Sequence, residues 1–241
     1  MKEVPYTALL AVLLFIFVPI IVSYQQALKL EKEILWSSLR GFAQLLLLGY
    51  CISYIFSFER WYVITGYVLV MIVIASLNVS KRGLDMKRTF FLVFSGMIVS
   101  VGIPIGLWLI CHIIPFEAQY IIPVAGMFSG TAMVAASVVL EAMKKEEDKK
   151  EKEMKRHAIK IAMIPTIDTL KTMGLVQIPG TMTGMILAGA EPIAAVKYQI
   201  FIVFTLLVVA SISSMIVCLL NYRAFYQTNH VQEYYENKLL S

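Results

Sequence analysis

The sequence predicts an all-α integral membrane protein with about seven transmembrane helices. Two observations carry this. Hydrophobic residues make up 59% of the 241-residue chain and charged ones only 15%, where a soluble domain is nearer half and a quarter. The apolar residues also fall in runs long enough to cross a bilayer, which takes about 20 of them in a helix. A third observation, the gathering of basic residues between the runs, orients the set. The net charge of +5 sits in those junctions, which favours membrane topology over nucleic-acid binding.

The runs lie at 6–23, 37–56, 61–78, 89–115, 120–143, 173–190 and 194–220. The first reads as a retained span rather than a signal peptide. Lys2 is followed by Glu3, no small-x-small cleavage site comes after it, and more apolar runs follow. The most basic junctions are 79–88, with Lys81, Arg82, Lys87 and Arg88 against Asp85, and 144–160. Two spans separate them, so both are expected in the cytoplasm. Counting outward places 24–35 and the tail with Arg223 and Lys238 inside. The N-terminus, 57–60, 116–119 and Glu191 fall outside. The whole chain, 1–241, reads as a single transmembrane domain of a multi-pass cell-membrane protein.

The sixth crossing is expected to be irregular. Gly174, Pro179, Gly180, Gly184 and Gly189 weaken any helix over 173–190, and backbone freed at membrane depth must be satisfied by neighbouring protein. Before it, His157 to Lys171 is too polar for a span. Ile159, Met163, Ile167 and Leu170 share one helical face there, which suggests an amphipathic helix at the cytoplasmic interface, kinked or restarted at Pro165. The charge run from Lys144 to Arg156 contains Glu146–Lys150 and Glu151–Lys155 at i, i+4 and reads as a solvated helix continuing from the fifth span.

No phosphate-binding GxxxxGK[ST] loop, HExxH, GxSxG or paired-cysteine motif occurs. The chain is therefore expected to be no enzyme and to hold no cofactor or metal of its own. Cys51, Cys111 and Cys218 are far apart and read as small apolar residues, and His112, His157 and His230 as boundary residues.

A short set of residues remains as pathway or packing candidates. Arg40 lies one turn before Gln44 at the start of the second span; it either lines a polar path or snorkels to the interface. Asp168 and Lys171 are spaced to pair across one turn, with Thr166, Thr169 and Thr172 placed to bond backbone carbonyls. Gly126 and Gly130, like Gly180 and Gly184, form GxxxG patterns that let helices approach closely. Met182 and Met185 offer thioethers to a soft metal or simply fill space.

The stretch Ile164 to Ile200, IPTIDTLKTMGLVQIPGTMTGMILAGAEPIAAVKYQI, is long and not merely apolar. It resembles the signature of the FetB-type permeases, membrane subunits of ABC transporters linked to bacterial iron export, with plant relatives in aluminium tolerance. SSLRGFAQLLLLGY at 37–50, LNVSKRG at 77–83 and PVAGMFSGTAM at 123–133 extend the resemblance over most of the chain. It implies a permease subunit of an exporter for iron or another metal-related substrate. Its implied partners are a cognate ATP-binding subunit, a second copy of the chain and membrane lipid, with no nucleic acid. Two departures stand out. Gly130-Thr131 replaces the family's usual Gly-Asn, and the lysine- and glutamate-rich run replaces a cytoplasmic stretch suited to docking on the ATPase. That second departure leaves an alternative open: an uncoupled scaffold or regulator of the same fold, natural or engineered.

Overall fold

A computed structural model describes residues 12–57, 60–145 and 151–239, with side chains through 225. The start of the first expected span, part of the 57–60 junction and the Glu146–Lys150 pair lie outside the described residues. The helices are α1 (Phe17–Gln25), α2 (Glu31–Phe56), α3 (Trp61–Ser80), α4 (Met86–Ile110), α5 (Ala118–Lys145), α6 (Glu151–Thr172), α7 (Gly180–Leu187) and α8 (Pro192–Leu239). Among the described residues, α2, α3, α4, α5 and the Pro192–Phe225 part of α8 are long and apolar enough to cross a membrane, and Val12–Gln25 is a shorter apolar helix. The chain is an all-α multi-pass membrane protein.

It divides into two units, 1–58 and 59–241. In the first, α1 turns into α2 through Ala27 and Lys29, both in the left-handed region at φ 52° and 58°. Ser23 ties the turn down: its hydroxyl donates to Glu31 Oε1 at 2.7 Å and accepts from the Leu30 amide at 3.1 Å.

In the second unit α5 is the central helix. Its inward face repeats at three and four residues through Ala125, Phe128, Ala132, Ala135, Val139 and Leu140, each at most 3% exposed. Alanines there let α8 come close enough for the Ser213 hydroxyl to donate to the Ala132 carbonyl at 3.0 Å. Lipid is as apolar as leucine, so contacts of this kind, rather than exclusion from water, hold membrane helices together. Gly126 adds one tight contact, since a Cβ there would lie 3.1 Å from the Met71 methyl of α3. Gly96 of α4 does the same against Ile216 of α8 at 3.1 Å.

The basic residues collect at one end of this unit. Asp85 caps α4 by accepting from the amides of Lys87 at 3.0 Å and Arg88 at 3.5 Å. The preceding turn is tight at Gly83, where any Cβ would fall 2.2 Å from Thr89 Oγ1. Arg82 reaches Glu141 of α5 at 3.8 Å, so the 79–88 turn and the end of α5 share a side. Lys155 of α6 lies 3.2 Å from the Tyr222 ring centroid of α8, which brings the α6 start to the same end. At the other end Trp108 of α4 joins α8, donating from its indole nitrogen to Thr205 Oγ1 at 2.9 Å. It also packs edge-on against Phe128 at 5.5 Å and Tyr198 at 5.9 Å.

Helix α6, where an amphipathic interfacial helix is expected, is packed on α5 and α8. It runs antiparallel along α8: Lys155 meets Tyr222, Met163 Sδ receives the Ser211 and Ser214 hydroxyls at 3.6 and 3.8 Å, and the Thr166–Met173 turns reach Val203 and Leu206. The buried residues are Met154, Ala158 and Ala162; of the Ile159, Met163, Ile167, Leu170 stripe, Met163 meets α8 while Ile167 is exposed. Small side chains permit the closer approach, so they win the interface although they are less hydrophobic. The helix also continues unbroken through Pro165.

Candidate functional site

The region expected as the irregular sixth crossing, 173–190, holds a non-helical stretch at 173–179 and α7, and α6 leads into it. Alone, the eight residues of α7 span about 12 Å, far short of a hydrocarbon core of about 30 Å. The glycines in this region have distinct jobs. Gly174 and Gly189 adopt φ of 83° and 96°, a conformation that costs glycine little and other residues much. Gly189 closes α7, with Gly189 N–H donating to the Ile186 carbonyl at 3.0 Å and Ala190 N–H to that of Met185 at 2.9 Å. Pro179 starts the helix. Helix α7 packs on α8, where the Thr181 hydroxyl donates to Gln199 Oε1.

The close approach expected at Gly180 and Gly184 is absent from this chain. Among the described residues no heavy atom lies within 4 Å of a Cβ built on either, nor on Gly130. Helix α7 therefore does not pack on the Gly126–Gly130 face. Gly126 contacts α3, and Gly130 opens onto a groove.

That groove, about 300 Å³, lies between α5, α6 and α8. Gly130, Thr131 and Val134 form one wall, Pro165, Thr166, Thr169 and Leu170 another, and Val203 and Leu206 the third. Gly130 and Thr131 stand at the middle of α5, whose 28 residues measure about 42 Å. The groove is thus near mid-depth of any bilayer the helix crosses. Hydroxyls dominate its polar lining. Thr169 Oγ1 donates to the Pro165 carbonyl at 2.8 Å and Thr172 Oγ1 to the Asp168 carbonyl at 3.1 Å, the backbone bonds expected of these threonines.

Asp168 and Lys171 do pair, with Nζ 3.0 Å from Oδ1. They are turned out from the groove on the far side of α6, with side chains 57% and 69% exposed. Met182 and Met185 are half-buried one turn apart on α7. Among the described residues no three His, Cys, Asp or Glu side chains converge on a point. Arg40 and Gln44 lie in the other unit, exposed on α2. Because α2 begins at Glu31, Arg40 is well inside the helix rather than at its start.

Sequence reasoning singled out Thr131 only as a departure from the family pattern, not as a groove wall, and missed the Trp108–Thr205 and Thr181–Gln199 bonds. Gln199 was detectable: it is a polar residue inside the apolar run 194–220, and such residues are costly unless paired.

Comparison with known proteins agrees with this architecture. A family model described as "Uncharacterised protein family (UPF0014)" matches residues 6–157 and 146–226, two stretches that overlap within the charged run. The chain is 35% identical to the Escherichia coli (strain K12) protein named "Probable iron export permease protein FetB", covering 90% of this chain and 91% of that one. It is 34% identical to the UPF0014 membrane protein YjkA of Bacillus subtilis, over 94% and 97% of the two chains. It is also 30% identical to the Arabidopsis thaliana protein ALUMINUM SENSITIVE 3, over 85% and 81%. No solved structure gives a significant match. With the family model spanning most of its length and relatives matching almost end to end, the chain belongs to the UPF0014 family of membrane proteins.

Proposed function

We propose that the chain is the permease subunit of an ABC-type exporter in the cell membrane, not an enzyme, and that both its units act as one transmembrane domain. It works as a homodimer with a separate ATP-binding subunit and moves iron or another metal-related substrate. The relative named as an iron export permease supports the substrate class. The observation that carries the reading is the polar face of α6 at mid-depth. A charge at the bilayer centre costs about 2.5–3.5 kcal/mol even on insertion scales, so Asp168 and Lys171 belong beside water or protein. The adjoining backbone makes the same demand. Leu175, Val176 and Ile178 are 91%, 82% and 66% exposed on a non-helical stretch, and lipid-facing irregular backbone does not occur in hydrocarbon. A second copy meeting α6 along this face covers both and encloses a wet path. On that face the path offers its cargo the single carboxylate of Asp168 beside Lys171, a sparse set that lets an ion leave as readily as it enters.

Co-expression with the cognate ATP-binding subunit tests the reading. The two are expected to co-purify and to support ATP-dependent metal efflux from vesicles, while this chain alone hydrolyses no ATP, since it has no phosphate-cradling loop. The scaffold alternative rests on the lysine- and glutamate-rich run that stands at 144–156 in place of a docking stretch. Failure to co-purify, with no efflux, would favour that alternative.

The proposed orientation has the basic end in the cytoplasm and the N-terminus outside. Lys81→Cys and Gln119→Cys, both at exposed positions, are expected to react with an impermeant maleimide from opposite sides in a background lacking Cys51, Cys111 and Cys218. Ser80 is fully buried and unsuitable as a reporter. Labelling of both sites from one side refutes the map.

A further inference from the structure

A second groove, about 470 Å³, opens at the basic end between α5, α6 and the α3–α4 turn. Its mouth is polar, with Arg82, Glu141 and Lys145; its floor is apolar, with Val134, Val138 and Ile161. We infer that this groove binds an anionic phospholipid, with the headgroup phosphate between Arg82 and Lys145 and an acyl chain laid along α5.

Charge and length both fit. Arg82 and Glu141 approach only to 3.8 Å, with side chains 46% and 43% exposed, which is beyond hydrogen-bond distance. Glu141 thus orients the guanidinium without occupying its fork, and that fork matches a phosphate through two parallel bonds. Lys145 supplies a second cation at the same mouth. Basic pockets between membrane helices at the cytoplasmic surface are suited to anionic headgroups. From Lys145 to Val134 the helix covers about 16 Å, close to the roughly 15 Å of one leaflet's hydrocarbon. A chain entering at the mouth therefore ends where the floor ends. Val134 lines both this groove and the mid-depth one, so the seated lipid abuts the hydroxyl-lined site. The inference does not depend on what that site transports.

Nanodiscs of equimolar phosphatidylglycerol and phosphatidylcholine, with native mass spectrometry of the released protein, provide the test. The wild type is expected to retain phosphatidylglycerol over phosphatidylcholine. Arg82→Gln and Lys145→Gln should each lower that preference about fivefold, and together they should abolish it. Arg82→Lys keeps the charge and should keep most of the preference, which controls for folding of the turn. Val138→Trp fills the apolar floor and should lose the lipid with both cations intact. Undiminished preference in the double variant overturns the assignment. So does displacement of the lipid by free glycerol phosphate at matched concentration, which would mark a soluble phosphoester site. Loss of ATP-binding-subunit capture by the double variant with lipid retention unchanged overturns it too, in favour of a protein contact.

Discussion

Asp168→Ala is expected to reduce vesicle efflux by about fiftyfold or more at matched expression. The substitution leaves the Lys171 ammonium near mid-depth without the carboxylate 3.0 Å away, and a lone charge at that depth costs about 2.5–3.5 kcal/mol. Lys171→Ala should fail similarly through the opposite charge. The double variant Asp168→Ala, Lys171→Ala separates assembly from transport: with neither charge present it should dimerise normally in detergent yet still not transport. Full efflux by Asp168→Ala would mean that the pair faces neither the path nor the second copy, and the pathway assignment would be lost.

Trp108→Ala should produce the largest loss of stability. The side chain is 1% exposed, and it links three helices through its bond to Thr205 and its ring contacts with Phe128 and Tyr198. Truncating a buried tryptophan in a soluble core costs about 3–5 kcal/mol. Part of that figure is transfer from water, which does not apply against lipid, so about 3 kcal/mol is expected here, mostly lost packing. Trp108→Phe keeps most of the ring contact and gives up the indole bond, about 1 kcal/mol. Thermal unfolding in detergent followed by tryptophan-independent readouts should rank wild type, Phe and Ala in that order. An alanine variant as stable as wild type would show that α4 and α8 do not depend on this contact.

Hydropathy made most of the helices legible. The expected 61–78 and 120–143 correspond to α3 at Trp61–Ser80 and α5 at Ala118–Lys145. The fourth run overshot, because the loop after Ile110 is itself apolar and turns only where His112 takes φ 54°. The sixth crossing was harder. Its irregularity was readable from Gly174, Pro179 and Gly189, but its extent was not. The helix that leads into it, α6, has a packed face of two alanines and a methionine, and its other faces carry Lys152, Arg156, Lys160 and Asp168. Average hydropathy scores that helix as soluble, while packing depends on one narrow stripe. Of the site, the Asp168–Lys171 pair and the threonine back-bonds followed directly from helical spacing. Gly130 was picked out for the wrong reason, as a packing glycine, and it serves instead as open wall.

The position of α6 along α8 also bears on biogenesis. A translocon admits segments by their own apolarity, and an aspartate and lysine near the centre each add about 2.5–3.5 kcal/mol against entry. Helix α6 packs on α5 and α8, and α8 follows it in the sequence. Under the proposed crossing, the segment 151–190 is therefore expected to stay at the membrane surface until α8 has been made. On the proposed crossing, stable entry of this segment is expected only once Ser211 and Ser214 of α8 are available to meet Met163, which insertion assays on chains truncated before and after α8 would test.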